Sequence, residues 1–462
     1  MRSVVCGLML LLFTGCSVGP DYVRPDIASP ASWQVEYQAA ADLANTRWWQ
    51  QFDDPVLDGL IETAVKGNLD LMQATAKVNQ YLGALDSSRS QYYPQIGAGF
   101  DAGAQRGGGK VTESYQAALN ATWEVDLWGK LRRSNEAALA QLVGTEAGRR
   151  GVLVSLVANV AGGYITLRGL DRQLEIARAT EQVYADSLKL FQLRYQYGTI
   201  SQLELSQAES QYESARQMVP SYESLIRQQE NLLSLLLGRA PGPIPRGKPR
   251  GKLVPPGIPA GLPSTLLERR PDIMEAEQAL IAANARIGVA RAAWFPSLSL
   301  TGALGTASSD IGSLFTPGSY VWSAGGQLLA PLLTFGKIAG EGRQAEAQQQ
   351  QAVYRYQQTV LTAFREVEDA LIKTAKGKEQ LEALMRQVRS LEEYARIARL
   401  QFEAGTSSYL QVLDAERSLF TGRLNQTQTG YDQLVSLITV YKAMGGGWIL
   451  EADRLGEKPV SP

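Results

Sequence analysis

The chain of 462 residues contains no histidine, and it has only two cysteines, Cys6 and Cys16. Without histidine there is no His-based triad, no imidazole acid–base pair and almost no means of holding zinc or copper. Carboxylate, Ser/Lys or Tyr chemistry would remain, and no motif for any of them is present. Lys+Arg total 45 against 46 Asp+Glu, for a net charge of −1, and no Lys/Arg-rich run breaks that balance. Nucleic acid is therefore not an expected partner. Beyond the N-terminus no stretch reaches about 18 uninterrupted apolar residues, so no transmembrane helix is expected. The chain does have length, enough for two or three ordinary cores, and it has duplication.

Leu69-Asp70-Leu71-Met72-Gln73-Ala74 followed by Tyr92-Tyr93-Pro94 returns as Pro271-Asp272-Ile273-Met274-Glu275-Ala276 followed by Trp294-Phe295-Pro296, at a constant offset of 202 (272 − 70). Trp128-Gly129-Lys130 returns as Phe335-Gly336-Lys337 at an offset of 207 (336 − 129). Tyr195-x-x-Gly198-Thr199 with Leu203 and Ala208-Glu209 returns as Phe402-x-x-Gly405-Thr406 with Leu410 and Ala415-Glu416, again at 207 (405 − 198). The unit of roughly 200 residues is far longer than a solenoid period. Its uninterrupted register from Gly129 to Gly198 implies a rigid element that must match its twin.

The N-terminus reads as a signal peptide. Arg2 supplies a short positive region, and Val4 to Phe13 an apolar one too short to span a bilayer. The sequence Leu12-Phe13-Thr14-Gly15-Cys16 resembles the lipobox of bacterial lipoproteins, with Phe13 where leucine is more usual. That resemblance implies a covalent lipid on Cys16 as the first mature residue. Ser17 in place of an acidic residue implies sorting to the outer membrane. From Ser17 to about Trp48, Pro20, Pro25 and Pro30 indicate an extended leader.

Each repeat reads helix, hairpin, very long helix, turn, helix. From Tyr115 the odd positions Ala117, Leu119, Ala121, Trp123, Val125 and Leu127 are apolar. The even positions Gln116, Asn120, Thr122, Glu124 and Asp126 are polar, which is the alternation of a two-faced strand. Its partner runs from about Pro94 to Ala104, with Gly107–Gly109 in the turn, and the second repeat mirrors the pair from Leu298 to Ser308 and from Tyr320 to Leu332. Such strands are long enough to cross an outer membrane when tilted, and aromatics gather at their ends. A soluble half-buried sheet would give the same alternation. If these strands do span a membrane, four cannot close a barrel, and three chains sharing twelve would. From about Lys130 to Tyr197 no proline occurs, and Leu153, Val157, Val160, Tyr164, Leu167 and Leu174 follow coiled-coil-like spacing. Gly162, Gly163 and Gly169 mark a site for a bend or bulge. Gly198 and Gly405 are placed to end the long helices in a left-handed conformation, with both turns together at the end remote from the hairpins.

On these signals the chain divides into a signal peptide (1–15), a lipidated leader (16–53), repeat one (54–237, hairpin about 94–127), a Pro/Gly-rich linker (238–263), repeat two (264–448, hairpin about 296–332) and a tail (449–462). The first helix of repeat one is expected to run from Asp54-Pro55 to about Gln91.

Several longer motifs now come together: Cys16-x-x-x-Pro20-x-Tyr22-x-x-Pro25, Asn68-Leu69-Asp70-Leu71, Gly261-Leu262-Pro263-Ser264-x-Leu266-Leu267-x-Arg269-Arg270-Pro271-Asp272-Ile273, Phe295-Pro296-Ser297, Leu413-Asp414-Ala415 and Tyr441-Lys442-Ala443-x-Gly445-Gly446-Gly447-Trp448. In these the chain closely resembles the outer-membrane efflux lipoproteins of the TolC/OprM type. The resemblance implies an α+β homotrimer: a twelve-stranded transmembrane β-barrel, four strands per chain, continuing into a long periplasmic α-helical barrel. It implies a periplasmic adaptor and an inner-membrane resistance-nodulation-division pump as partners, with no cofactor beyond the lipid and no enzymatic activity. It also implies a channel gate at Leu410, Gln411 and Asp414, where three Asp414 carboxylates would form a cation-favouring collar and Leu410 a hydrophobic constriction. Some relatives carry an acidic residue at the position of Gln411 and an arginine at that of Ser407, so a second acidic layer and that particular latch are missing. An adaptor-docking tip is implied at Gly198, Thr199, Ile200 and Ser201 and at Gly405, Thr406 and Ser407. The expected function is a passive, gated exit channel for drugs or other small toxic compounds. The alternatives are a lipid-anchored periplasmic coiled-coil adaptor or scaffold, and an exit duct for a protein or metal exporter.

Overall fold

The computed structural model describes residues 17–27, 30, 33, 47–247 and 269–446. Cys16, most of the linker, Ser264, Gly447 and Trp448 lie outside these residues. Two compact units are present. One, which holds the sheet, is built from Thr75–Gly148 and Asp272–Thr359 with the N-terminal residues; the remainder of both repeats forms the other.

Repeat one opens with two helices rather than the single expected one, α1 (Pro55–Gly67) and α2 (Leu69–Ser90). The break is made by Asn68, whose backbone is extended and whose Oδ1 accepts the Leu71 N–H at 2.9 Å, an N-cap for α2. Its Nδ2 donates to the Leu236 carbonyl at 3.0 Å, so the corner is tied to the far end of the repeat. Asp54 caps α1 in the same way through Val56 N.

The hairpin follows as β1 (Gln95–Gly107) and β2 (Lys110–Val125). Gly108 and Gly109 both take positive φ, as a two-residue hairpin turn requires. Repeat two supplies α6 (Pro271–Ala292), β3 (Ser297–Ser308) and β4 (Tyr320–Leu329), after the repeat-one helices α3 (Lys130–Gln196), α4 (Gln202–Arg216) and α5 (Met218–Leu236). It ends with α7 (Lys337–Glu403) and α8 (Tyr409–Ala443). The strands form one antiparallel sheet in the order β1-β2-β3-β4. Its registers align the rows Ala98–Leu119–Leu304–Trp322 and Phe100–Ala117–Thr306–Tyr320 on one face. Gly97–Asn120–Ala303–Ser323 lies on the other. The apolar face is bare in the protomer: Leu119 is 53% exposed, Leu304 62% and Trp322 78%. A soluble half-buried sheet would cover such a face, so that alternative fails here.

α3 and α7 are both 67 residues long and unbroken. Part of α3 is long and apolar enough, by length and composition, to cross a membrane. Its Leu153, Val157, Val160, Tyr164 and Leu167 are instead buried in a core with Trp48, Phe52, Leu57, Ile61, Leu233 and Tyr431. The glycines where a bend was expected do not interrupt the helix; they admit close neighbours. A Cβ on Gly163 would lie 3.1 Å from the Leu233 side chain, and one on Gly169 3.1 Å from the Tyr431 ring. After the turn, repeat two returns as the single helix α8, while repeat one breaks between α4 and α5. Pro220 causes this difference, because it has no N–H for the Arg216 carbonyl and its ring crowds that oxygen.

The described start of the linker is non-helical and anchored. Arg246 makes a two-pronged ion pair with Asp171 (2.9 and 3.1 Å) and reaches buried Glu230 at 2.6 Å. Gly247 N donates to Tyr164 Oη, which donates to Asp54 Oδ2 at 2.9 Å. The described leader residues 17–27 form neither helix nor strand, and the rest of the leader up to position 46, apart from 30 and 33, lies outside the described residues. Residues 17–27 are held by Asn284 Nδ2 on the Pro20 carbonyl and by Tyr22 and Arg24 on Glu277.

Candidate functional site

The two turns that end the long helices have the same construction. At the end of α3, Gly198 has φ +68°; its N–H bonds the Tyr195 carbonyl and Thr199 N–H bonds the Arg194 carbonyl. At the end of α7, Gly405 has φ +73°, with Phe402 and Gln401 as the corresponding acceptors. This paired pattern satisfies the last helical carbonyls and needs a residue free to adopt left-handed backbone. Thr199 and Thr406 add hydroxyl bonds to the same Arg194 and Gln401 oxygens, at 2.8 and 3.0 Å. Ser201 then starts α4 with a reciprocal capping box to Glu204. The equivalent N-cap, Ser408, makes no side-chain cap bond.

Aromatic packing holds the two turns together. Phe191 from α3, Phe402 from α7 and Tyr409 from α8 cluster, with tilted rings at centroid separations of 4.0 Å (Phe191–Tyr409) and 5.3 Å (Phe402–Tyr409). They share a core with Leu205, Val412, Leu413 and Ala415, against which Ile200 packs. Burial, with Glu416 nearby, pushes the Tyr409 hydroxyl up to about 12, so it stays neutral. Ser407 occupies the place of Ile200 in the second copy (407 − 207 = 200), and its Oγ is buried without a hydrogen-bond partner. Tyr197 and Leu203, which flank the first turn, are 77% and 68% exposed, and the sequence assigns neither to the tip, Leu203 standing there only as a repeat marker. Their signal was available as apolar side chains beside a Gly-Thr turn.

Leu410, Gln411 and Asp414 share the exposed face of the first turns of α8, opposite buried Val412, Leu413 and Ala415. Leu410 is 61% exposed, so it does not serve the protomer's core. Asp414 is not a bare carboxylate: Arg417, one turn on, bonds its Oδ1 at 3.1 Å, and Tyr394 Oη reaches Oδ2 at 3.4 Å. Further ion pairs link α7 to α8, Arg399 with Glu416 and Arg423 with Glu392 at 2.8 Å. They border a groove of about 790 Å³ between α3, α7 and α8, floored by Ile176, Val183, Leu400 and Phe420. Among the described residues no acidic, cysteine or histidine cluster is arranged to hold a metal ion.

The chain matches the model of the family described as outer membrane efflux protein twice, over residues 60–239 and 262–446, once in each repeat. It is 37% identical to the cation efflux system protein CusC of Escherichia coli K12, over 95% of this chain and 97% of that protein. It is 35% identical to the toluene efflux pump outer membrane protein TtgI of Pseudomonas putida, with the same coverage. Among solved structures, the open state of the Neisseria gonorrhoeae MtrE outer membrane channel superposes with a TM-score of 0.86 at 31% identity, covering 94% of this chain and 98% of that one.

Proposed function

Since the chain belongs to the outer membrane efflux protein family, we infer that it is the outer-membrane exit channel of a tripartite efflux pump, passively conducting small toxic compounds to the outside. The observation that carries this reading is the bare apolar face of an open four-stranded sheet. Its side chains are arranged for lipid, and its edges need further copies to close. Three copies form a twelve-stranded barrel, and the long helices provide the periplasmic part of the duct.

The partners would be a periplasmic adaptor meeting the tip at Gly198–Ser201 and Gly405–Ser407, and an inner-membrane pump of the resistance-nodulation-division type that supplies the energy. Gly198 and Gly405 suit docking because nothing lies within 4 Å of the side chain each lacks, so a partner's backbone can approach there. Leu410, Gln411 and Asp414 would ring the axis as the gate. Cys16 would carry the lipid anchor, readable as an added acyl mass on the first mature residue. The relatives named above belong by name to a cation efflux system and to a toluene efflux pump, so ducts of this family serve pumps of different substrates.

Planar-bilayer recording of the purified protein tests the reading. We expect a pore that conducts without nucleotide and opens further when Asp414 is removed. Protein that inserts as trimers but never conducts would contradict it.

A further inference from the structure

Among the described residues β1 bonds only to β2, and β4 only to β3, so each outer strand keeps one open edge. The four strands alternate in direction, so β4 of one copy meets β1 of the next antiparallel. We propose that this seam closes in one register, with Tyr320 opposite Arg106 of the neighbouring copy. It follows that Trp322 lies opposite Ala104, Ala324 opposite Ala102, Gly326 opposite Phe100 and Leu328 opposite Ala98. The proposal rests on the trimeric duct above and adds the residue pairs that seal it.

Strand length sets the first limit. β1 has 13 residues and β4 has 10, so every β4 residue finds a partner within β1 only if Tyr320 faces a residue between Ala104 and Gly107. Facing direction sets the second, because directly opposed residues of an antiparallel pair point to the same side. Tyr320 lies on the apolar face through the row Phe100–Ala117–Thr306–Tyr320, and on β1 that face is formed by the even positions. Only Ala104 and Arg106 remain.

Within one copy Tyr320 shares its row with Phe100, so the two registers displace the rows by four or six residues per copy (104 − 100 or 106 − 100). Around three copies that is a stagger of about 12 or 18 residues, which tilts the strands by about 35° or 45°. Both tilts are normal for barrels, and the strand ends decide between them. The β1–β2 hairpin runs beyond the last β2–β3 pair, Tyr115↔Ser308, from Gly103↔Ser114 to Gly107↔Lys110. At the opposite end β1 stops at Gln95↔Thr122, while β2 continues to Val125↔Leu298, and β3 and β4 to Ser297↔Leu329. The strands therefore slip along the sheet by about two residues per strand, nearer the 1.5 of the larger stagger than the 1.0 of the smaller. Side chains agree with that choice. Arg106 comes beside the Tyr320 ring at the rim, where a guanidinium–aromatic contact is favourable, and Phe100 covers the bare backbone of Gly326.

No cysteine lies beyond position 16, so cysteine pairs placed in the sheet report only on themselves. Opposed Cα atoms of an antiparallel pair lie within disulfide reach. In the full chain in its membrane, Ala102→Cys combined with Ala324→Cys should convert monomer to covalent trimer on a non-reducing gel after mild oxidation. Phe100→Cys combined with Ala324→Cys should leave it monomeric. The reverse pattern would overturn the register in favour of the smaller stagger. Trimers by native mass that neither pair cross-links would also overturn it, while leaving the duct intact. Monomers by native mass would instead overturn the trimeric reading itself.

Discussion

Leu119 stands midway along β2 between Tyr115 and Trp123, and Asn120, its neighbour, points to the opposite face. On a water-facing surface, replacing a half-exposed leucine with arginine changes stability by no more than about 0.5 kcal/mol. Facing acyl chains at the bilayer midplane, the same change costs about 2–4 kcal/mol per copy. That corresponds to roughly thirtyfold to several hundredfold in the folding equilibrium of each copy. Because a trimer carries three such arginines, the assembled barrel should lose roughly 6–12 kcal/mol. Asn120→Arg, in the row Gly97–Asn120–Ala303–Ser323, should cost little, because in a closed barrel that face would line the aqueous lumen. Urea titration of the protein in lipid vesicles, followed by tryptophan fluorescence, measures both. We expect Leu119→Arg to unfold at much lower urea than wild type and Asn120→Arg to stay close to it. Equal, small effects at both positions would mean that the apolar face meets something other than lipid.

Asp414→Ala should leave the trimer stable, since an exposed Asp–Arg pair contributes only about 0.2–1 kcal/mol. It would leave Arg417 uncompensated, so the reversal potential in bilayers should move away from cation preference; an unchanged potential would place Asp414 off the conduction path. Gly405→Trp meets open space and costs about 1–2 kcal/mol of left-handed backbone strain. Trimers should form while export in cells is lost, and surviving export would show that the tip is not the docking surface. Burial pushes the Glu230 carboxyl up, but Arg246, the Ile244 N–H and Arg227 outweigh it and hold the group below its usual range. A carboxyl lowered by folding contributes stability above its unfolded pKa of about 4.3 and loses it as the pH falls through the folded value. Glu230→Gln should therefore lower the Tm at pH 7, with the gap to wild type closing below about pH 4; a gap independent of pH would refute that ionic role.

Much of this fold was legible because two periodicities do not depend on distant residues. The alternation from Tyr115 to Val125 specifies both faces of β2, and the 207-residue offset specifies that α3 and α7 match in length. Two helix breaks also had local signals. Gly67-Asn68 combines a helix-ending glycine with an N-capping asparagine, and Pro220 forbids the bond on which a continuous helix would depend. The mid-helix glycines have a packing role that no local signal carries, because the close approach of Leu233 and Tyr431 is set by helices remote in sequence. The site was legible in its caps, since Gly198-Thr199 and Gly405-Thr406 carry their geometry locally. Its electrostatics were not. Arg399–Glu416 and Arg423–Glu392 depend on the axial register of α7 against α8, which no short motif encodes. Asp414–Arg417 lies one turn apart on a single helix and could have been read directly.

The claim on which the rest depends is that the four-stranded sheets of three chains close one barrel. The native mass of the detergent-extracted outer-membrane protein, with bound detergent subtracted, measures this. We expect particles of three chains, each 50.3 kDa before any processing. Particles of a single chain would leave both sheet edges open to lipid and contradict the duct.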